Sequence, residues 1–282
     1  MNFLFPILAA ILQAGSFTLD KVVLSIRRVN FKSYIGVSFP LIFLITLAIF
    51  LIFRPPLSLA LLAGNLWWLL LLSIVISIIN NLIFYRALDD DELGEIQTLD
   101  LLRNIPIIIF SSIIFADERN FAVIIPALIA SVAIIWSHWE HHHFKIAKHT
   151  LPFLIWSLLT AAIGASISKI LLASWNPISL ELLRSGVVAL ILGSLFYKYA
   201  NKISFKAFVL LLATNILTAI AWLLFYFSYQ RLGVVYTTLI FSIQPLLVYI
   251  ASVFFLKEPL RWKKAVAFII VLLSIGIAQI IN

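Results

Sequence analysis

The sequence has no cysteine, a single methionine and little charge: Asp, Glu, Lys and Arg together make up 11% of its 282 residues, against about 25% in a soluble globular domain. Without cysteine there is no disulfide, thiol nucleophile or thiolate metal site. Acidic residues are scarcer than basic ones, 12 against 20, for a formal net charge of +8. That excess does not point to nucleic acid, because the basic residues sit in short loops between apolar runs, where membrane topology accounts for them. No polar stretch is long enough for a separate soluble domain. What fills the chain is hydrophobic residue, 63% of the total, compared with roughly 45–50% in soluble domains. The composition is that of an integral membrane protein.

Runs of about 20 apolar residues, the length that crosses a ~30 Å hydrocarbon core as a helix, fall near residues 4–26, 34–53, 66–87, 95–116, 120–137, 151–173, 178–198, 207–229, 234–256 and 263–281. They are continuously apolar rather than alternating, so helices are expected and barrel strands are not. Met1 and Asn2 form no basic leader and the first run is longer than a signal-peptide core, so it is expected to remain as a span.

The stretch from Phe225 to Glu258, FYFSYQRLGVVYTTLIFSIQPLLVYIASVFFLKE, has a degenerate copy from Phe84 to Glu118. In each, a Phe-Tyr pair ends one run, a glycine opens the next (Gly94, Gly233), a proline follows twelve residues later (Pro106, Pro245) and a glutamate closes it. Weak internal repeats are a signature of secondary transporters. The expected organisation is a first five-helix unit over 1–139, a linker over 140–150 and a second unit over 151–282. Five is odd, so the second unit enters the membrane from the opposite side. This predicts an all-α membrane protein of ten transmembrane helices in two inverted repeats, with its site near the midplane between them.

Loop charge gives the orientation. Thirteen basic residues (Arg27, Arg28, Lys32, Arg86, Lys145, Lys148, Lys198, Lys202, Lys206, Lys257, Arg261, Lys263, Lys264) lie on one side and three (Arg54, Arg119, Arg231) on the other. The positive-inside rule makes the first side cytoplasmic and puts both termini outside the cytoplasm. The expected location is a plasma membrane, the bacterial inner membrane above all.

The remaining four basic residues, Lys21, Arg103, Lys169 and Arg184, fall within predicted spans together with Asp20, Asp100 and Glu181. Such groups are costly in a bilayer core unless paired, hydrated or snorkelled, which makes them functional candidates. Asp100 and Arg103, like Glu181 and Arg184, are spaced i,i+3, so each acid can neutralise its neighbour. Lys21 and Lys169 are the expected snorkellers. Arg103 lies about eight residues into its run, roughly 12 Å at 1.5 Å per residue, and shares its span with Gln97, Thr98 and Asn104. A span this polar is expected to line a cavity.

The second half resembles the EamA-type repeat of the drug/metabolite transporter superfamily, on FYFSYQRLGVVYTTLIFSIQPLLVYIASVFFLKEPLRWKKAVAFIIVLLSIGI, with Pro245 and Glu258 in order. Within ELLRSGVVALIL, Arg184 stands where that family commonly has an arginine, and within GASISKILL, Lys169 stands where it has a lysine. The first half fits at Lys21, Gly94, Pro106 and Glu118 but lacks the counterpart of Arg184, which falls near Tyr34. The resemblance implies a central cavity lined mainly by spans 1, 3, 4, 6, 8 and 9, with spans 5 and 10 peripheral. It leaves the cargo open.

Intramembrane charge is mildly positive, four cations against three anions, which favours a carboxylate, phosphate or zwitterion. The expected function is secondary transport, in the export direction, of a small polar, anionic or zwitterionic metabolite such as an amino acid. Its expected substrate contacts are Arg103, Asp100, Lys21, Gln97, Asn104, Lys169, Arg184, Trp222 and Tyr226, with Asp20, Asp100 and Glu181 as proton-coupling or gating groups. Lys21 with Asp100 and Lys169 with Glu181 are expected to form two alternating gates. Alternatives are multidrug efflux of lipophilic compounds and a membrane subunit without transport of its own. No catalytic spacing supports an enzyme, and no cofactor or metal is expected. The partners expected are the small-molecule substrate and the bilayer, the chain itself being a monomer or weak homodimer. His138, Glu140, His141, His142 and His143 read as a solvated linker, since successive loop positions do not converge on a metal. Glu118 and Glu258 read as loop-fixing groups. Trp67, Trp68, Trp139, Trp175 and Trp262 read as an interfacial belt.

Overall fold

The structure, a computed structural model, describes residues 3–57, 64, 66–137, 148–255 and 262–281. The histidine linker, Trp139 and Glu258 lie outside these residues. All regular structure among the described residues is helical: α1 (Leu4–Leu24), α2 (Phe31–Phe53), α3 (Leu66–Asp90), α4 (Leu93–Asp100), α5 (Asn104–Ile114), α6 (Phe121–Ser137), α7 (Thr150–Ser174), α8 (Pro177–Val188), α9 (Phe205–Leu232), α10 (Val234–Phe241), α11 (Ile243–Phe255) and α12 (Trp262–Ile281). Helix starts are written locally. Asn30 and Ser33 form a capping box at α2, Asn176 caps α8 with Pro177 in its first turn, and Ser204 caps α9.

Among the described residues eight helical segments are long and apolar enough to cross a membrane, Pro177–Asn201 and Val234–Phe255 included. Leu101–Ile114 and Phe121–Ser137 are apolar but shorter. The fourth and ninth runs are not the continuous helices the sequence reading expects. A 3-10 turn at Leu101–Arg103 separates α4 from α5, and a turn at Ser242 separates α10 from α11. The cause is proline. Pro106 and Pro245 each lack an N–H, and their rings crowd the carbonyls of Leu102 and Phe241 four residues back, so the helix gives way just there. The two breaks meet: Asn104 Nδ2 donates to Ser242 Oγ at 3.0 Å, and Gln244 Nε2 donates to Gln97 Oε1 at 3.0 Å.

Polarity is distributed as lipid solvation demands. Large apolar side chains such as Ile280, Phe205 and Phe254 stand exposed, while Ser16, Asp20, Gln97, Thr214 and Asn215 are buried. The helices approach closely where small residues allow it. A Cβ on Gly36 of α2 would sit 2.6 Å from the backbone oxygen of Phe196, and one on Gly193 would sit 3.0 Å from Pro40 Cγ. Gly193 closes a π-helical turn, Ala189–Gly193, where the α8 span yields to that proline. α6 and α12 pack on one another, with Trp136 and Trp262 edge to face at 5.7 Å, and contribute to a cluster apart from the main core. Trp68 and Trp262 are exposed, but Trp175 is buried against the main core, which corrects its assignment to the interfacial belt.

Candidate functional site

A cavity whose lining is largely apolar, with charged and amide groups set into it, lies among α1, α2, α3, the α4–α5 break and α7–α10 and encloses about 250 Å³. That is room for roughly eight waters at ~30 Å³ each, or one small metabolite. Among the described residues none of α6 or α12 lines it, as the family resemblance implies for spans 5 and 10. The resemblance did not anticipate that α2 and α8 line it as well, through Phe39 and Ile42 and through Glu181, Arg184, Ser185 and Val188.

The α4–α5 break sets one polar wall. Arg103 in the turn pairs with Asp100 at 3.0 Å, and Ser157 of α7 donates to the other Asp100 oxygen at 3.0 Å. Asp100 is therefore closed off by its partners, whereas the Arg103 side chain remains 29% exposed toward the cavity. Asn104 follows on the same wall. The second wall is different. Glu181 and Arg184 both line the cavity, one turn apart on α8, yet no ion pair within 4.0 Å joins them among the described residues. The Arg184 guanidinium lies 5.4 Å from the centre of the Tyr226 ring, and its buried Nε has no hydrogen-bond partner. A guanidinium that lines the cavity beside an aromatic ring and has no ion-pair partner there is suited to an incoming carboxylate.

Aromatic rings complete the lining. Trp222 and Tyr226 lie 5.8 Å apart, and Phe225 meets Trp222 edge to face at 5.5 Å. The two Phe-Tyr pairs that mark the internal repeat, Phe84-Tyr85 and Phe225-Tyr226, all reach this one cavity. So do Asn80 and Asn81 of α3. Sequence reading passed over these two, although consecutive amides within an apolar run are a signal of the same kind as Asn104.

The two lysines are placed elsewhere, and neither meets its expected gate partner. Lys21 donates to the carbonyls of Leu88 and Asp91 at 2.7 and 2.8 Å, beside the C-terminal end of α3. Lys169 pairs with Asp117 at 2.5 Å and with Glu118, and lies over the Phe115 ring. Its ammonium holds the Asp117 carboxyl below the ordinary range. Glu118 in turn accepts the N–H groups of Val234 and Val235 at 2.7 and 3.0 Å, capping α10. Gln97 is buried against Gln244, off the cavity. Asp20 is fully buried and points away from Lys21: it accepts from Tyr34 and Thr214 at 2.5 Å each. Among the described residues no group of three metal-ligating His, Asp or Glu side chains is present.

Residues 150–279 match the EamA-like transporter family. A solved crystal structure of a protein aligns with a TM-score of 0.76 at 13% identity, covering 99% of this chain and 98% of that one. At that identity the likeness shows the fold alone. No curated protein matches the chain.

Proposed function

From the premise that residues 150–279 match the EamA-like transporter family, we propose that the chain is a secondary active transporter that exports a small anionic or zwitterionic metabolite, such as an amino acid, by alternating access. Ten transmembrane helices in two inverted five-helix repeats are the architecture in this proposal, with the two shorter apolar segments completing the eight longer ones. The observation that carries it is that Arg103, Arg184 and Glu181 open onto one and the same cavity beside an aromatic wall. Guanidinium groups on a largely apolar lining recognise a carboxylate, Glu181 gives an ammonium a seat, and aromatic faces accept an apolar side chain. Efflux of lipophilic cations is favoured by the aromatic wall and by Glu181, but the two guanidinium groups of Arg103 and Arg184 on the same lining oppose a cationic cargo, and Asp100 is held by Arg103 and Ser157.

The test is a thermal-shift screen of purified protein, since a cargo that binds the folded state stabilises it by mass action, about 2.7 kcal/mol at a hundred times its Kd. Zwitterionic amino acids are expected to raise the midpoint. Stabilisation by lipophilic cations, with none by any zwitterion or carboxylate, would replace this reading with efflux.

Orientation is proposed from the loop charges, with both termini outside the cytoplasm. In a bacterial inner membrane, a periplasm-active reporter fused after Asn282 is expected to be active. Activity of a cytoplasm-only reporter at the same position would reverse the topology.

A further inference from the structure

A second polar system lies behind the cavity wall, made almost wholly of hydroxyls. Asp20 has no exposure to solvent. Its Oδ1 accepts from Tyr34 of α2 and from Thr214 of α9, while Oδ2 has no hydrogen-bond partner. Thr214 Oγ1 lies 2.9 Å from Ser16 Oγ, which lies 2.5 Å from Thr218 Oγ1. Thr218 lines the cavity. Three hydroxyls thus connect the cavity to a buried carboxyl without a gap.

The neighbourhood is specific. Of the elements packed against α1, α2 presents Tyr34 to the carboxyl and α3 presents Tyr85, which stacks on Tyr34 at 4.6 Å. α9 presents Thr214, and α4, α10 and α11 bring no titratable or charged side chain to it among the described residues. Lys21, its neighbour in sequence, is turned to the carbonyls of α3. A buried carboxylate kept for structure alone is expected to have a cation or backbone N–H groups around it; Asp20 has hydroxyls, each able to donate or accept. Such a shell serves the ionised carboxylate, which needs donors, and the neutral acid, which needs an acceptor.

We propose that Asp20 is a proton-binding site connected to the cavity through Thr218, Ser16 and Thr214. In the loading step a hydronium ion that enters the cavity gives a proton to Thr218 Oγ1 and is left as water, while each hydroxyl passes its own proton onward and the proton of Thr214 is handed to the Asp20 carboxylate. One O–H bond breaks in the hydronium, one forms on the carboxyl, and the three hydroxyls end intact with their orientations reversed. Protonation weakens the charge-assisted bonds from Tyr34 and Thr214 that tie α1 to α2 and α9, so occupancy of the site biases how those helices pack. The bias is limited to the difference in proton affinity between the two packings. Only this last link, to cargo movement, rests on the transport reading.

The experiment is a pH-titrated infrared difference spectrum of the purified full-length protein. Wild type is expected to show a carboxylic-acid C=O band that titrates and is missing from Asp20→Asn. Thr218→Val is expected to keep the band and to slow its appearance after a pH jump by roughly tenfold or more, the factor for about 1.4 kcal/mol on the barrier. An unchanged spectrum in Asp20→Asn overturns the site, and an unchanged rate in Thr218→Val overturns the route. A band that sodium removes at fixed pH makes this a sodium site and overturns the proton. Should Asp20→Asn fail to fold, Thr214→Val decides: it deletes a donor to Oδ1, and a band unaltered in frequency and midpoint overturns the assignment. The band reports the carboxyl itself, so a titrating Asp20 in a protein that no zwitterion stabilises retires the transport reading and keeps this site. An absent band retires the site and leaves the cavity's role in place.

Discussion

Replacing Glu118 with alanine is expected to lower stability by ~3–5 kcal/mol, the range for stranding one partner of a buried ion pair, with a fall of roughly 10 °C in the thermal midpoint. The magnitude follows from what one carboxylate holds. It accepts the first two N–H groups of α10 and pairs with Lys169, so the turn between α5 and α6 is tied to both α7 and α10. Gly233 belongs to the same joint. It has φ of +82°, and a Cβ there would lie 2.6 Å from Glu118 Oε1. Asp117 is the internal control: it binds the same lysine but is 70% exposed, and exposed pairs contribute little. Its lowered folded-state pKa means that its small contribution is present above the unfolded value and disappears as pH falls through the folded one. Unfolding monitored by tryptophan fluorescence in detergent should separate Glu118→Ala from Asp117→Asn widely. Equal shifts would make Glu118 one more surface pair.

The second expectation concerns affinity. Arg184→Ala should weaken binding of a carboxylate-bearing cargo by roughly one to two orders of magnitude, as the loss of a charged hydrogen bond of about 1.5–3 kcal/mol implies. Its midpoint without cargo should change little, because no ion pair within 4.0 Å involves Arg184 among the described residues. Arg184→Lys should restore only part of the affinity, since an ammonium neither stacks on Tyr226 as a plane nor offers a fork. Arg103→Ala should instead cost stability as well, by leaving Asp100 buried beside Ser157 alone. Calorimetric titration with the stabilising metabolite from the screen checks all three. Unaltered affinity in Arg184→Ala would take that residue out of the binding site.

Much of the helical layout was legible in the sequence because apolar run length and proline position act through the backbone alone. The i,i+3 rule found Asp100 with Arg103, whose contact is fixed by one helical turn, and the Phe-Tyr repeat marked residues that share the cavity. Partner choice across the fold was not legible. Lys169 and Glu181 are close in sequence, yet the lysine reaches Asp117 and Glu118 because of how α7 passes the turn after α5, a matter of tertiary packing. The i,i+3 rule also failed to distinguish a closed pair from an open one. Asp100 is drawn to Arg103 in the loosened turn, whereas Glu181 and Arg184 stand on a regular helix with Tyr226 beside the guanidinium.

The paired prolines also have a mechanical consequence. An unbroken helix is a stiff rod, and two such rods crossing at the centre of a bundle would carry any tilt at one face straight through to the other. With Leu101–Arg103 and Ser242 interrupted at their crossing, each rod becomes two short levers on a common fulcrum, so one rim of the bundle can splay while the opposite rim keeps its packing. Arg103 sits on that fulcrum. The guanidinium that faces the cavity is therefore mounted at the joint between the segments, where the alternating access proposed above would displace it least.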